Sequence, residues 1–356
     1  IVDSKKLQKD VVKKEILVIK KKYRDERKSE IVSVEEDISF IAKAENRKLE
    51  NYVVGINYNG LVRKVKLSSF KRTAASLTPK KSEFMRSYTE ATDDHLIYAF
   101  TNLGNCYRID CEKIPEASGS GGGVKFDTLD KQILSKEYPV ALYAIKDLEV
   151  PAGRLYFFTK QGAVKLTPWS EYDVKKPVFQ AIKLKEGDEL LKTEEEIPDS
   201  DFFFATKNGF CLNCSDEFPQ QLRVSGGVKG MDIEDGDEII TATQIKKSAD
   251  YEIVVATSFG TFKKVDLGTI ARTARARKGV RLVDVGIDGT ECVKLAEPKE
   301  ESASLTLLIE DDGGNIMHAL SEELANESRT TKGKPIAKLG IFKTALVYPF
   351  RLPEGK

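Results

Sequence analysis

Four times this chain writes an apolar run, the tetrad Thr-x-x-Gly and a second apolar run: LIYAFTNLGNCYRI, LYFFTKQGAVKL, FFFATKNGFCL and IVVATSFGTFKKV. Their glycines are Gly104, Gly162, Gly209 and Gly260. Two looser copies flank them. YVVGINYNGLVRKVKL has Asn57 in the threonine place and Gly60 in the glycine place, and LTLLIEDDGGNIMHAL reads as carrying one extra residue before Gly314. The six glycines are spaced 44, 58, 47, 51 and 54 residues apart. A fixed period of this size means an array of one supersecondary unit, and it has to be settled before any other feature is read.

The unit is a hairpin. Glycine at the tip supplies the positive φ of a tight turn, and the flanking Val, Ile, Phe and Tyr suit strands. Each copy continues through a polar, often basic stretch to a further strand beside a second turn signal, as in KLKEGDEL, MDIEDGDEII and LVDVGIDGTECV. About four short strands per unit, six times over, predict an all-β fold, a six-bladed β-propeller, in preference to a sandwich or an open β-solenoid. Trp169 is the only tryptophan, which argues against WD40 blades, and the lack of repeated Gly-Gly pairs argues against kelch blades.

Ahead of the repeats, Ser4 to about Glu30 has neither Gly nor Pro, and Val12, Ile16, Ile19 and Tyr23 recur at helical spacing. This predicts an amphipathic helix, either packed against the propeller or forming one arm of a coiled coil. The expected organisation is helix end and linker over 1–36, propeller over 37–350 and a tail over 351–356. The chain does not begin with Met and shows no signal peptide, which reads as a fragment of a longer, cytoplasmic protein. No apolar run reaches the ~18 residues of a membrane span. Five cysteines in apolar runs suit reduced, buried thiols. Cys211 and Cys214 form a lone C-x-x-C; a zinc site needs about four ligands, no second pair exists, and i and i+3 on a strand point to opposite faces.

The string KKEILVIKKKYRDERKSEI, followed by the acidic SVEED and a six-fold hairpin array, resembles the A subunit of bacterial type IIA DNA topoisomerases. The match to that family's helix-end pattern runs from Glu15 to Ile31, with Ile16 for Leu and Arg24 for the usual Gly. The resemblance implies a pinwheel propeller whose blades exchange strands and whose basic rim bends duplex DNA. It implies as partners the ATPase B subunit together with the rest of the A subunit, with no membrane. It also implies ATP and Mg for the whole enzyme, no cofactor or metal in this part, and no catalytic residues here, since the strand-cleaving residues lie in other domains.

Within this frame one stretch stands out. IARTARARKGVRL places Arg272, Arg275, Arg277, Lys278 and Arg281 within ten residues, although the 57 basic and 56 acidic residues of the chain leave a net charge of only +1. Between Gly260 and Arg281, seven basic residues (Lys263 and Lys264 included) face the single acid Asp266. Basic stretches recur at the same phase: SSFKRTAASLTPKK with Lys71, Arg72 and Lys80, the region of Arg223 and Lys229, and SRTTKGKPIAKL with Arg329, Lys332 and Lys334. Arg63 and Lys64 in LVRKVKL complete the expected DNA-binding set. Acid gathers elsewhere, in KTEEEIPDSD and EPKEE. Cations on a curved rim would neutralise phosphates and release counterions without reading sequence, and few aromatics interleave them for stacking single strands.

In the family, the gyrase A subunit carries a Gln-Arg-Arg-Gly-Gly-Lys-Gly box in its first repeat. Here that place reads FKRTAASLTPKK, and the nearest string, QQLRVSGGVKG, lies in the fourth repeat, so the reading leans to a topoisomerase IV-like subunit over a gyrase with a degenerate box. Ser118–Gly123, four glycines in six residues, has lost the charge expected of its repeat and reads as either a natural loop or an engineered linker. Two other classes stay open: a protein-interaction propeller, marked by an exposed apolar patch, and a propeller enzyme, which would need acids or histidines converging on the channel.

Overall fold

The computed structural model describes residues 4–24, 49–57, 59–74, 85–117, 122–146, 149, 151–286, 291–340 and 343–350. The chain divides into two units, 1–48 and 49–356. The first holds the predicted helix over Lys5–Lys22, none of whose residues is buried; it ends at Tyr23, whose N–H returns to the Ile19 carbonyl. The remainder of the expected helix, to Glu30, the expected boundary at 36 and the tail after 350 lie outside the described residues.

The second unit is a six-bladed propeller built on the six hairpins. In each blade the strand before the turn lies between its hairpin partner and a return strand. The return strands Met85–Thr92, Pro139–Lys146, Leu190–Glu195, Ile239–Lys246, Val293–Glu300 and Thr344–Phe350 meet one another in succession around the ring, and the last meets the first. The ring is therefore closed. Six apolar seams fill the spaces between blades, and the seam between blades six and one joins Leu308 and Tyr348 to Val53, Val65, Met85 and Tyr88. Cys211 belongs to the seam between blades four and five, and Cys214 to that between blades three and four, on opposite faces of their strand. Burial pushes the Cys211 thiol up to about 12 and the Cys214 thiol up to about 11.

The turn shows why Thr-x-x-Gly recurs. All six glycines hold φ between 70° and 85°, and each N–H bonds the carbonyl three residues back. In five of the six turns the residue in the threonine place then accepts from the N–H four residues on, as Thr159 Oγ1 does from Ala163 at 3.0 Å, Thr206 Oγ1 from Phe210 at 3.2 Å and Asn57 Oδ1 from Leu61 at 2.9 Å; in blade five the Thr257 hydroxyl meets the Thr261 hydroxyl at 2.7 Å instead. In blade six Asp311 Oδ1 accepts from the Asn315 N–H at 2.8 Å. The sixth copy thus has no extra residue, contrary to the sequence reading; Asp311-x-x-Gly314 keeps the spacing, with a carboxylate as the acceptor.

The outer strand of each of blades one to five comes from the next repeat. Val178–Gln180 pairs with the second hairpin strand of blade two, Val228–Lys229 with that of blade three, Arg272–Thr273 and Val280–Arg281 with that of blade four, and Lys334–Pro335 with that of blade five. Val124 and Glu116 reach Val62 and Lys64 of blade one. The turn glycines take part in the exchange: the carbonyls of Gly104, Gly162 and Gly209 accept from Ala181, Gly230 and Leu282, each at 2.8 Å.

Candidate nucleic-acid interface

Strand exchange forces each chain segment that leaves a hairpin to cross to the preceding blade at the outer edge of the ring, and the cationic stretches lie on these crossings. Three crossings share one construction. Arg223 donates through Nη1 to the Gln180 carbonyl, Arg275 to the Lys229 carbonyl at 3.1 Å, and Arg329 to the Arg281 carbonyl at 3.1 Å. In each case the acceptor lies in the segment donated by the preceding repeat, so consecutive crossings are tied into one edge. Arg223 also lies over the Phe179 ring, and Lys278 and Arg281 over the Phe210 ring at 4.8 and 4.7 Å.

A glycine closes each of these crossings where it passes over the neighbouring strand. Gly123, Gly227, Gly279 and Gly333 all hold φ between 77° and 97°. A Cβ on Gly279 would lie 2.0 Å from the Cys211 carbonyl oxygen, and one on Gly227 2.6 Å from that of Val164. Gly123 takes the same place against Val62, so the end of the glycine-rich Ser118–Gly123 stretch is a working part of the blade; residues 118–121 lie outside the described residues.

Of the expected DNA-binding residues, the structure turns several inward. Arg63, Lys64 and Lys263 are buried, and Lys264 is nearly so. Lys64 bonds Asp93 at 3.0 Å and the Cys111 carbonyl at 2.9 Å; Lys264 sits 3.0 Å from both oxygens of Glu252. Lys263 Nζ donates to the carbonyls of Ser328, Arg329 and Thr331 at 2.9, 3.1 and 2.8 Å. Their inclusion as phosphate contacts is therefore corrected: strands covered on both faces bury successive side chains, and Lys64, Lys263 and Lys264 satisfy interior acceptors. Arg272 clasps Asp201, a carboxylate only 6% exposed, through Nε at 2.6 Å and Nη2 at 2.9 Å.

Arg277, Lys278, Lys229, Lys332, Lys334, Lys71 and Arg72 are exposed, and Arg223, Arg275, Arg281 and Arg329 are half-buried. Lys278 pairs with Glu234 at 2.5 Å, Lys229 with Asp232 at 2.6 Å and Lys334 with Glu327 at 3.7 Å. Between Arg275 and Arg277, Ala276 holds φ 57°, with its N–H on the Gly230 carbonyl at 2.6 Å. Such a conformation costs a residue with a Cβ roughly 1–2 kcal/mol. Lys80 lies outside the described residues. The sequence reading missed Lys175 and Lys176, both exposed on the crossing of the third repeat, where Pro177 stands in the place of the crossing glycine. Their phase immediately before a donated strand was the available signal.

The sequence profile described as DNA gyrase C-terminal domain, beta-propeller matches residues 95–131, 154–193, 200–246 and 251–291. The DNA gyrase A subunit of Staphylococcus epidermidis is 24% identical over 344 residues, covering 93% of this chain and 37% of that protein. Its counterpart in Staphylococcus aureus is 22% identical, again over 93% of this chain and 37% of the relative. The chain thus spans little more than a third of the length of these relatives. Among solved structures, the C-terminal domain of DNA topoisomerase IV superposes with a TM-score of 0.72 at 21% identity, over 86% of this chain and 95% of that one. The DNA gyrase A C-terminal domain gives 0.59 at 15% identity, over 85% and 100%. With the repeat, the exchanged strands and these matches together, the chain belongs to the type IIA DNA topoisomerase A subunits and carries their C-terminal β-propeller domain.

Proposed function

We propose that this propeller binds duplex DNA along its outer edge, without sequence preference, and holds it bent so that the enzyme can present a transported segment. The observation that carries this reading is the recurrence of cations at one phase of the repeat, on crossings tied edge to edge by Arg223, Arg275 and Arg329. Bending a short duplex through tens of degrees costs a few kcal/mol, which successive phosphate contacts offset. In the whole enzyme the domain serves an ATP- and Mg-dependent partnership with the ATPase B subunit, in the cytoplasm. Catalysis lies in the other domains of the chain's own subunit.

The topoisomerase IV-like reading is retained, because the first repeat lacks the gyrase box. The gyrase alternative draws on the curated relatives. Gel-shift titration on linear duplex at two salt concentrations tests the binding: the affinity should fall by orders of magnitude if about six or more phosphates are held. Salt-insensitive binding, or none at low salt, refutes it. Ligating a nicked circle on the bound domain separates the two subunit readings. A chiral wrap leaves a change in linking number, whereas a simple bend leaves none.

A further inference from the structure

Two buried lysines hold the crossings from beneath. Lys263, in blade five, points its three ammonium hydrogens at the carbonyls of Ser328, Arg329 and Thr331, on the crossing that carries Lys332. Lys165, at the matching place three residues after the turn glycine of blade three, is also fully buried. It donates to the Arg223 carbonyl at 2.6 Å, the Ala181 carbonyl at 2.6 Å and the Tyr172 hydroxyl at 3.1 Å. A buried ammonium is tolerated only when its donors are met, and here three acceptors match three hydrogens in each blade. In blade four the matching residue is Leu212, and in blade two Tyr107, so neither neighbouring crossing has such an anchor.

We propose that Lys165 and Lys263 are positioning residues for DNA, each fixing the carbonyl edge of a crossing inward so that its cations stand ready for phosphate. The proposal rests on the duplex-binding reading. A loop already fixed loses less conformational freedom when it meets its ligand, so its cations contribute more of their charge to binding. The anchored crossings of repeats four and six would then owe their preset contacts to a buried lysine, whereas the crossing of repeat five, with Arg277, is held by main-chain bonds from Ala276 to the Gly230 carbonyl and from Asp232 to the Arg277 carbonyl and would not.

The test is a pair of double-mutant cycles read as the salt dependence of duplex binding. In the wild-type background, Lys332→Ala and Arg223→Ala should each lower the slope by roughly 0.9. In Lys263→Met the Lys332→Ala effect should fall to less than half, and in Lys165→Met the Arg223→Ala effect likewise. Arg277→Ala should act equally in all backgrounds. Undiminished effects in both lysine variants overturn the proposal while leaving the DNA reading intact. Failure of the wild type to bind duplex refutes the DNA reading instead. Folding is checked first by circular dichroism; where a methionine variant does not fold, Lys263→Gln or Lys165→Gln, which retains two donors, replaces it, and the same criterion on the slopes applies.

Discussion

Arg272 and Arg277 lie five residues apart in the same basic stretch, and the structure assigns them opposite tasks. Arg272→Ala removes two hydrogen bonds from Asp201 and leaves a carboxylate that is 6% exposed with Lys247, at 3.9 Å, as the one remaining cation paired with it among the described residues. A charge-assisted hydrogen bond contributes about 1.5–3 kcal/mol where solvent is excluded. The guanidinium here is 54% exposed and screened, which brings the pair toward the lower end, and Lys247 recovers part of the loss. The expected cost is about 1–2 kcal/mol. Arg277, exposed on the crossing, should cost less than about 0.5 kcal/mol when truncated. Urea unfolding at constant m-value and salt-dependent duplex binding, measured on both variants, separate them. Arg272→Ala should lower the midpoint and leave the salt slope unchanged; Arg277→Ala should do the reverse, with the slope smaller by roughly 0.9. An Arg272→Ala protein of wild-type stability with a reduced slope would refute the assignment. Replacing every arginine of the stretch at once would confound the two effects.

Gly279→Ala should destabilise strongly, because a Cβ would approach the Cys211 carbonyl to 2.0 Å and the residue holds φ 77°. A loss of at least about 2–3 kcal/mol by urea melt is expected, and a neutral variant would mean that the crossing can lie elsewhere. Burial, together with the positive charge of Arg223, pushes Lys165 down to about 7, and burial pushes Lys263 down to about 8. Both values lie below the ordinary lysine range, so the unfolded chain holds more protons between them and about pH 10, and stability rises with pH across that window. Relative to Lys165→Met, the wild type should gain up to about 1.4 kcal/mol per unit between about pH 7 and 9; parallel pH profiles for the two proteins would contradict this. Changing Lys175 and Lys176 together to Ala should weaken duplex binding without moving the melting temperature, and unaltered affinity would exclude the third repeat's crossing from the interface.

Much of this architecture is legible in the sequence because the turn imposes two demands at fixed spacing: a residue that accepts a φ between 70° and 85° and an acceptor three places before it. The sixth copy escaped correct alignment for a physical reason. Gly313 and Gly314 stand side by side, and it is the positive φ of Gly314, its bond to the Asp311 carbonyl and the bond from Asn315 to the Asp311 carboxylate that show which of them closes the turn. The buried cations were not legible. Lys263 belongs by spelling to a basic run, yet its acceptors lie 65 to 68 residues onward, on a segment donated by the next repeat. Arg272 is betrayed by nothing nearby, since Asp201 lies 71 residues back. Local charge counts treat all such residues as solvent-facing, whereas burial on both faces of a blade depends on the closed ring. Lys175 and Lys176 show the opposite failure, a short cluster passed over because Pro177 replaces the glycine that marks the other crossings.

Exchange of outer strands also bears on inheritance. A stretch copied from one turn glycine to the next does not encode a blade; it encodes the second hairpin strand and the return strand of one blade, the outer strand of the blade before and the first hairpin strand of the blade after. Duplicating or deleting such a stretch in register therefore leaves every seam with a donor and an acceptor, because the newcomer completes its predecessor and is completed by its successor. A stretch cut out of register does the opposite and leaves an unpaired edge. Repeat number in such a ring can thus change by unequal recombination only in whole repeats and in register, whatever the phase of the cut.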